Sequence, residues 1–262
     1  MLLPAFSLCQ RELVRFVRQR NRVVGALLTP IVFWLLIGGG MGRSFAAPGA
    51  GAAGTRGYMH YFFPGTLLMI LLFTAIFSTI SVIEDRREGF LQSVLVAPVS
   101  RMSVVLGKVL GGTILAVGQA LVFLLLAPLA GVKLTPGGAA LALAVMLLVA
   151  FALTCLGLTI AWRMSSTQGF HAIMNLFLMP MWFLSGALFP ASGAWRGLRY
   201  VMLANPLTYG LAALRRAVDP QDAGALALPG MGVSLLVTIG FAVVMFVLAA
   251  RVAGSTVAAD LQ

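Results

Sequence analysis

The chain has 262 residues, of which 60% are hydrophobic and 10% charged, and a mean hydropathy of +1.01. That leaves too little polar surface for a hydrated soluble globule. Its net charge of +11 sits mostly at the ends of apolar runs, where anionic lipid head groups are the expected partner rather than nucleic acid. The two cysteines, Cys9 and Cys155, cannot build an extracellular disulfide framework and read as buried reduced thiols.

Residues 1–22 read as an amphipathic helix. Arg11, Arg15, Arg18 and Arg22 recur at helical spacing and share one stripe, with Phe6, Cys9, Leu13, Phe16 and Val17 opposite. Such a helix is expected to lie in the inner interface, apolar side in the acyl chains and arginines among phosphates, with Arg20 snorkelling from the apolar side. It serves either as an anchor or as part of a docking surface for a cytoplasmic partner.

Six apolar runs follow, at 23–40, 58–83, 109–131, 138–162, 169–190 and 230–250. Each matches the roughly 17–25 residues a helix needs to cross a bilayer. The runs are continuous where barrel strands would alternate, so the expected class is an all-α polytopic membrane protein with six transmembrane helices in one domain, 1–262. The first run is expected to remain in the mature chain, since it lies behind some twenty polar and basic residues and ends in Gly38-Gly39-Gly40 without a cleavage pattern. With both termini inside, the inner segments hold 11 Lys and Arg and the outer ones 7, which favours that orientation.

The linker 84–108 is the one densely charged stretch between two apolar runs. Phe90, Leu91, Val94 and Leu95 form an apolar stripe behind the charges of Glu84 to Glu88. Pro98 stops the helix at Ala97, and Ser100 is placed to cap the next one. So long a charged linker reads as a docking element on the cytoplasmic side. The segment 191–229 is too broken to cross: Asn205-Pro206 divides it into two pieces of about 15 Å if helical. Trp195, Tyr200, Tyr209 and the neighbouring arginines suit an outer interface, and the segment reads equally as an interfacial anchor or as an outer gate.

The six runs contain no Asp, Glu, Lys or Arg, so no intramembrane carboxylate is on hand to bind a coupling ion. Gln119, Thr154, Asn175 and Ser185 read as helix glue, and Gly38/Gly42 and Gly107/Gly111 as GxxxG packing pairs. Pro30, Pro64, Pro128 and Pro180 are placed to kink or start helices. His60 and His171 have no ligand partner at metal spacing. GxSxG, HExxH and GxxxxGK[ST] patterns are absent. The chain therefore reads as no enzyme, and as either driven by an external motor or passive.

Several stretches together resemble the membrane-spanning permease of ABC-2 type ATP-binding-cassette transporters. They are Glu84-Asp85-Arg86-Arg87-Glu88-Gly89 through Ala97-Pro98-Val99-Ser100-Arg101 and Gly107-Lys108; Phe183-Leu184-Ser185-Gly186 through Phe189-Pro190; and Asn205-Pro206-Leu207-Thr208-Tyr209. The resemblance implies a homodimer or heterodimer of permeases with two cytoplasmic ATPase subunits, in the inner membrane of a prokaryote. ATP and magnesium would be bound by the ATPase and no cofactor by this chain. It places ATPase coupling on Glu84, Asp85, Arg86, Arg87, Glu88, Gly89, Phe90, Leu91, Val94, Leu95 and Pro98, with the helix of Arg11, Arg15, Arg18 and Arg22 beside it. It places an outer gate of re-entrant helices at Phe189, Pro190, Asn205, Pro206 and Tyr209. In this reading Glu84, Asp85 and Glu88 contact the ATPase electrostatically, while Phe90, Leu91 and Leu95 fill an apolar notch. The implied cargo is amphipathic or hydrophobic and drug-like, with polysaccharide, lipid-linked product or sodium as alternatives. A membrane scaffold and a passive pore are the rival classes.

Overall fold

The computed structural model describes residues 2–41, 54–96, 99–220 and 228–259. Among these there is no strand, and six helices are long and apolar enough to cross a membrane. In chain order the helices are α1 (Leu2–Arg18), α2 (Arg20–Gly40), α3 (Gly54–Ser78), α4 (Ile80–Arg87), α5 (Phe90–Val96) and α6 (Arg101–Leu124). They continue with α7 (Pro136–Ala161), α8 (Thr167–Trp182), α9 (Arg196–Ala204), α10 (Pro206–Val218) and α11 (Met231–Ala259).

Helix α3 is the axis of the bundle. Phe62, Phe63, Leu67, Leu68 and Leu71 are fully buried, with α2, α6, α7, α8 and α10 packed around them. Because lipid tails are as apolar as leucine, close packing of small residues and interhelical hydrogen bonds carry the cohesion here. Thr74 Oγ1 donates to Gln119 Oε1 at 2.6 Å between α3 and α6, and Trp34 Nε1 of α2 donates to Met59 O at 3.1 Å. On α6 the Gly107/Gly111 pair is the seat of α1. A Cβ at Gly107 would lie 2.7 Å from Leu8 Cβ, and one at Gly111 would lie 2.9 Å from Glu12 Cβ, so only glycine lets α1 come this close.

Helix starts follow local chemistry. Ser100, Thr135, Ser166 and Asn205 each accept a backbone N–H of the first turn through the side chain, which satisfies a donor the helix leaves open. The α3–α4 break falls where Ser78 Oγ and Thr79 Oγ1 bond back to Ala75 O and Ile76 O, at 2.7 and 2.6 Å, a competition with the helical ladder that bends helices.

The structure shifts several expected boundaries. Helix α4 carries the second span through Arg87, so Glu84 to Arg87 form a helical turn rather than the opening of a loop. Helix α6 begins at Arg101 and ends at Leu124, because Ser100 supplies the cap and Pro128 lies in a following 3-10 turn, Ala127–Ala130. Lys108 is thereby drawn two turns into a membrane helix, which corrects the reading of spans without ionisable residues. The regular part of α8 ends at Trp182 and passes through a π-turn, Phe183–Ala187. Helix α10 is almost wholly buried between α3, α7 and α11, where an interfacial position was one expectation. Residues 97–98, expected to stop α5, and the side chains of Leu95 and Arg22 lie outside the described residues.

Candidate functional site

Two ends of the bundle hold the residues singled out from the sequence. The basal end gathers α1, α4, α5, the start of α6, the α7–α8 turn and the close of α11; the distal end gathers the start of α3, the π-turn, α9 and α10.

At the basal end, α1 lies against α6 with Arg11 and Arg15 turned into the protein. Arg11 grips Asp85 with both terminal guanidinium nitrogens, Nη1 and Nη2, at 2.9 and 2.8 Å, and Arg15 Nη1 adds a third bond at 2.9 Å. Lys108 Nζ donates to Asp85 Oδ2, to Glu12 Oε1 at 2.6 Å and to Ser81 Oγ at 3.1 Å. Arg15 Nη2 also lies 3.0 Å from Glu84 Oε2. Asp85 is fully buried, and Glu12 and Lys108 nearly so. A carboxylate held by two guanidinium groups and an ammonium meets the condition for burying charge, which is a close partner with further hydrogen bonds. The hydrogen bond to Asp85 raises the pKa of Arg11, so its charge persists throughout. Burial and the nearby Glu12 push the Cys9 thiol up, which keeps it protonated and unreactive.

This geometry revises three expectations. Arg11 and Arg15 serve Asp85 instead of lipid phosphates, because the buried carboxylate would otherwise be left without compensation; Arg18 remains exposed. Asp85 does not present its carboxylate to a partner, since its surface is covered from all sides. Leu91 packs inward against Leu8, Val82 and Val104 and leaves the outer side of α5 to Gln92, Ser93 and Val96, the last 89% exposed. Phe90 is half-buried beneath the Arg11 guanidinium, 3.7 Å from its ring centre, and Val94 sits at the edge of the same apolar cluster. Gly89, with φ +75°, makes the turn from α4 into α5 that a side chain would strain. Arg86 donates to Trp162 O at 2.6 Å, and Arg87 to Ser165 O at 3.0 Å, so both fasten the α7–α8 turn. Glu88, with its side chain 60% exposed, is open to water.

Above the cluster an apolar groove of about 510 Å³ runs between α2, α3 and α8, open along one side. Phe33, Phe73 and Phe77 line it with Thr29, Thr74 and His171, and Glu84 stands at its basal mouth. The Phe77 and His171 rings are 4.8 Å apart.

At the distal end, Gly186 adopts φ +90° in the π-turn, and polar side chains converge on that backbone. Tyr61 OH donates to Gly186 O at 2.8 Å, Tyr58 OH to Leu188 O at 3.1 Å, and Trp182 Nε1 to Gly65 O at 2.8 Å. The fully buried Arg215 of α10 donates to Tyr61 O at 2.9 Å and Gly186 O at 3.1 Å, with its guanidinium 4.0 Å from the Tyr61 ring centre. Asn205 caps α10 before Pro206 and donates to Met181 O at 2.6 Å, while Tyr209 OH donates to Leu203 O at 2.8 Å. Phe189 and Pro190 are half-buried, with Phe189 against the small cluster of Ala191, Met202, Ala212 and Leu228. The residues expected around Asn205 thus lie together at this end, beside Tyr58, Tyr61 and Arg215, which hydropathy did not indicate. His60 Nε2 lies 3.2 Å from Asp219 Oδ2, a pair whose separation in sequence concealed it.

A family model described as ABC-2 type transporter matches residues 5–218, from α1 through α10. The chain belongs to the ABC-2 type transporter family. Two relatives share the description "Putative transport permease ycf38". The protein from Cyanophora paradoxa is 25% identical over 212 residues, covering 80% of this chain and 72% of that protein. The one from Porphyra purpurea is 24% identical over 219 residues, covering 82% and 74%. Membership in the ABC-2 family makes this chain a multi-pass transport permease and implies a transporter system that includes an ATPase.

Proposed function

We propose that this ABC-2 permease is the membrane subunit of an exporter for an amphipathic or hydrophobic, drug-like cargo, driven by two copies of a separate cytoplasmic ATPase. The basal end faces the cytoplasm, with both chain termini there. ATP and magnesium are bound on the ATPase, in keeping with the absence of nucleotide motifs here. The ATPase docks on the water-facing side of α4–α5, through Glu88, Gln92, Ser93 and Val96 with Phe90 at the edge. Truncating an apolar anchor at such a contact costs more than removing an exposed charge.

The observation that carries this reading is the groove between α2, α3 and α8, mostly apolar, with Thr29, Thr74, Ser78, His171 and Glu84 as its polar points. A site of that composition accepts a molecule with an apolar body and a few polar groups. Helix α8 lines it with His171 and Met179 and leaves Ile173, Asn175, Leu176 and Phe177 exposed. Asn175 in a membrane helix gains from an interhelical hydrogen bond, and a second permease copy on this face supplies one and closes the groove. The cargo then passes at the dimer interface, and the π-turn with α9 and α10 forms the outer gate. The test is purification of the tagged chain from its native membrane followed by reconstitution. An ATPase with a Walker motif should co-purify, and a groove-sized amphipathic compound should stimulate hydrolysis. A chain that purifies without an ATPase and conducts without nucleotide refutes the reading.

A further inference from the structure

The buried ionic cluster ties together three stretches distant in sequence, and it lies between the docking face and the groove. Asp85 belongs to α4, which runs through Gly89 into α5. Its partners Arg11 and Arg15 belong to α1, and Lys108 to α6. Glu12 and Ser81 complete the contacts of Lys108. Parting any of these elements separates cations from a carboxylate that is itself out of reach of water, so the lowest-energy response to a push on α5 is for α1 to travel with it.

Two breaks let this body move against the rest. One is the α3–α4 break at Thr79. The other is Gln19, the single non-helical residue between α1 and α2, with φ −87° and ψ 72°. Beyond Gln19, the part of α2 up to Pro30 is loosely held: Val24, Gly25, Leu28 and Thr29 are exposed, while Gly25, Ala26, Thr29 and Pro30 wall the groove. Past Pro30, Trp34 is buried against Phe63 and Phe123 and fixes the remainder of the helix. Pro30 lacks the backbone donor of a continuous helix and is a natural flexion point. The segment from Gln19 to Pro30 is therefore a flap joined to α1 at one end and hinged on the core at the other.

We propose that Asp85 is the positioning residue that passes displacement of the α5 docking element to α1, and through α1 to the Gln19–Pro30 flap, so that the groove is worked from α2. This rests on the ATPase-driven reading above. The cluster transmits the movement and takes no part in binding cargo or ATPase.

The experiment places a reporter thiol in the flap by Thr29→Cys, with Cys9 and Cys155 replaced by alanine, in the reconstituted complex of permease and ATPase. Labelling by a water-soluble maleimide is timed with and without ATP and vanadate. With the cluster intact, nucleotide trapping should change the rate roughly tenfold, the size of an order-of-magnitude population shift. Asp85→Asn should bring the ratio close to one while the ATPase still co-purifies, a result that lost docking would not give. Insertion of two glycines after Gln19 leaves the cluster whole and should abolish the ratio too, and it carries the test alone if Asp85→Asn does not fold. A full nucleotide response in either variant overturns transmission through α1. An intact chain that binds no ATPase, or shows no nucleotide response at residue 29, overturns the ATPase-driven reading and the proposal with it.

Discussion

The two ends of this bundle bury cationic side chains by opposite means. At the basal end Arg11, Arg15 and Lys108 surround one carboxylate, Asp85, so each bond joins two charged partners on different helices. At the distal end the Arg215 bonds described above go to backbone carbonyl oxygens, those of Tyr61 and Gly186. An ionic cluster fails as a unit when its shared member is removed, because the remaining charges stay buried without compensation. Carbonyl acceptors at a helix break fail singly, and one neighbour can partly replace another. The basal end is thus a joint that moves whole, and the distal end a latch with graded strength.

The contrast is sharpest with Asp85→Ala, which takes the shared carboxylate from three cations and leaves Lys108 only Glu12 and Arg15 only the more exposed Glu84 and Glu88. It should lower stability by about 3–5 kcal/mol, seen as a large drop in the thermal unfolding midpoint of the detergent-solubilised chain. Arg215→Ala should cost less, about 1–3 kcal/mol for acceptors left unsatisfied, since Tyr61 OH still serves Gly186 O at 2.8 Å; if both variants unfolded equally early, the two ends would not differ in kind. Gly186→Ala isolates the backbone part of the latch. A Cβ there would meet Leu228 Cδ2 at 3.5 Å, an ordinary contact, so the expected loss of about 1–2 kcal/mol comes from the positive φ, again read by thermal unfolding. Smallest in stability is Val96→Asp, on the exposed face of α5, with a shift within about 0.5 kcal/mol. It should nonetheless greatly reduce co-purification of the ATPase, whereas Glu88→Ala should leave co-purification nearly unchanged. Equal retention of ATPase by both would move the docking face off α5.

Much of the scaffold was legible because it depends on local pattern. Six apolar runs gave six membrane helices, Ser100 caps α6, and Asn205-Pro206 separates α9 from α10. The Gly107/Gly111 pair marked a close helix contact, although nothing in the spacing told that α1 would fill it. The site was legible in its membership more than in its roles. The stripe of Arg11 and Arg15 was visible, as was the charge of Asp85, but their pairing spans 74 and 70 residues, and periodicity reports a face without reporting what it faces. Leu91 read as an anchor for a partner for the same reason, since an apolar stripe looks alike whether it meets another protein or its own α6. Tyr58, Tyr61 and Arg215 carried no signal for a buried network, since hydroxyls and guanidinium groups near a span end usually mark an interface.

Hydropathy, helical period and capping chemistry are properties of neighbouring residues, and they alone dictate that this chain is a helical membrane bundle with a charged turn at the end of its second span. Which charges that turn would keep for itself depended on how α1 settled on the glycine face of α6. Only that packing brought Arg11, Arg15 and Lys108 within bonding distance of Asp85, a carboxylate fully out of water, where the attraction is strong enough to hold three helices as one piece.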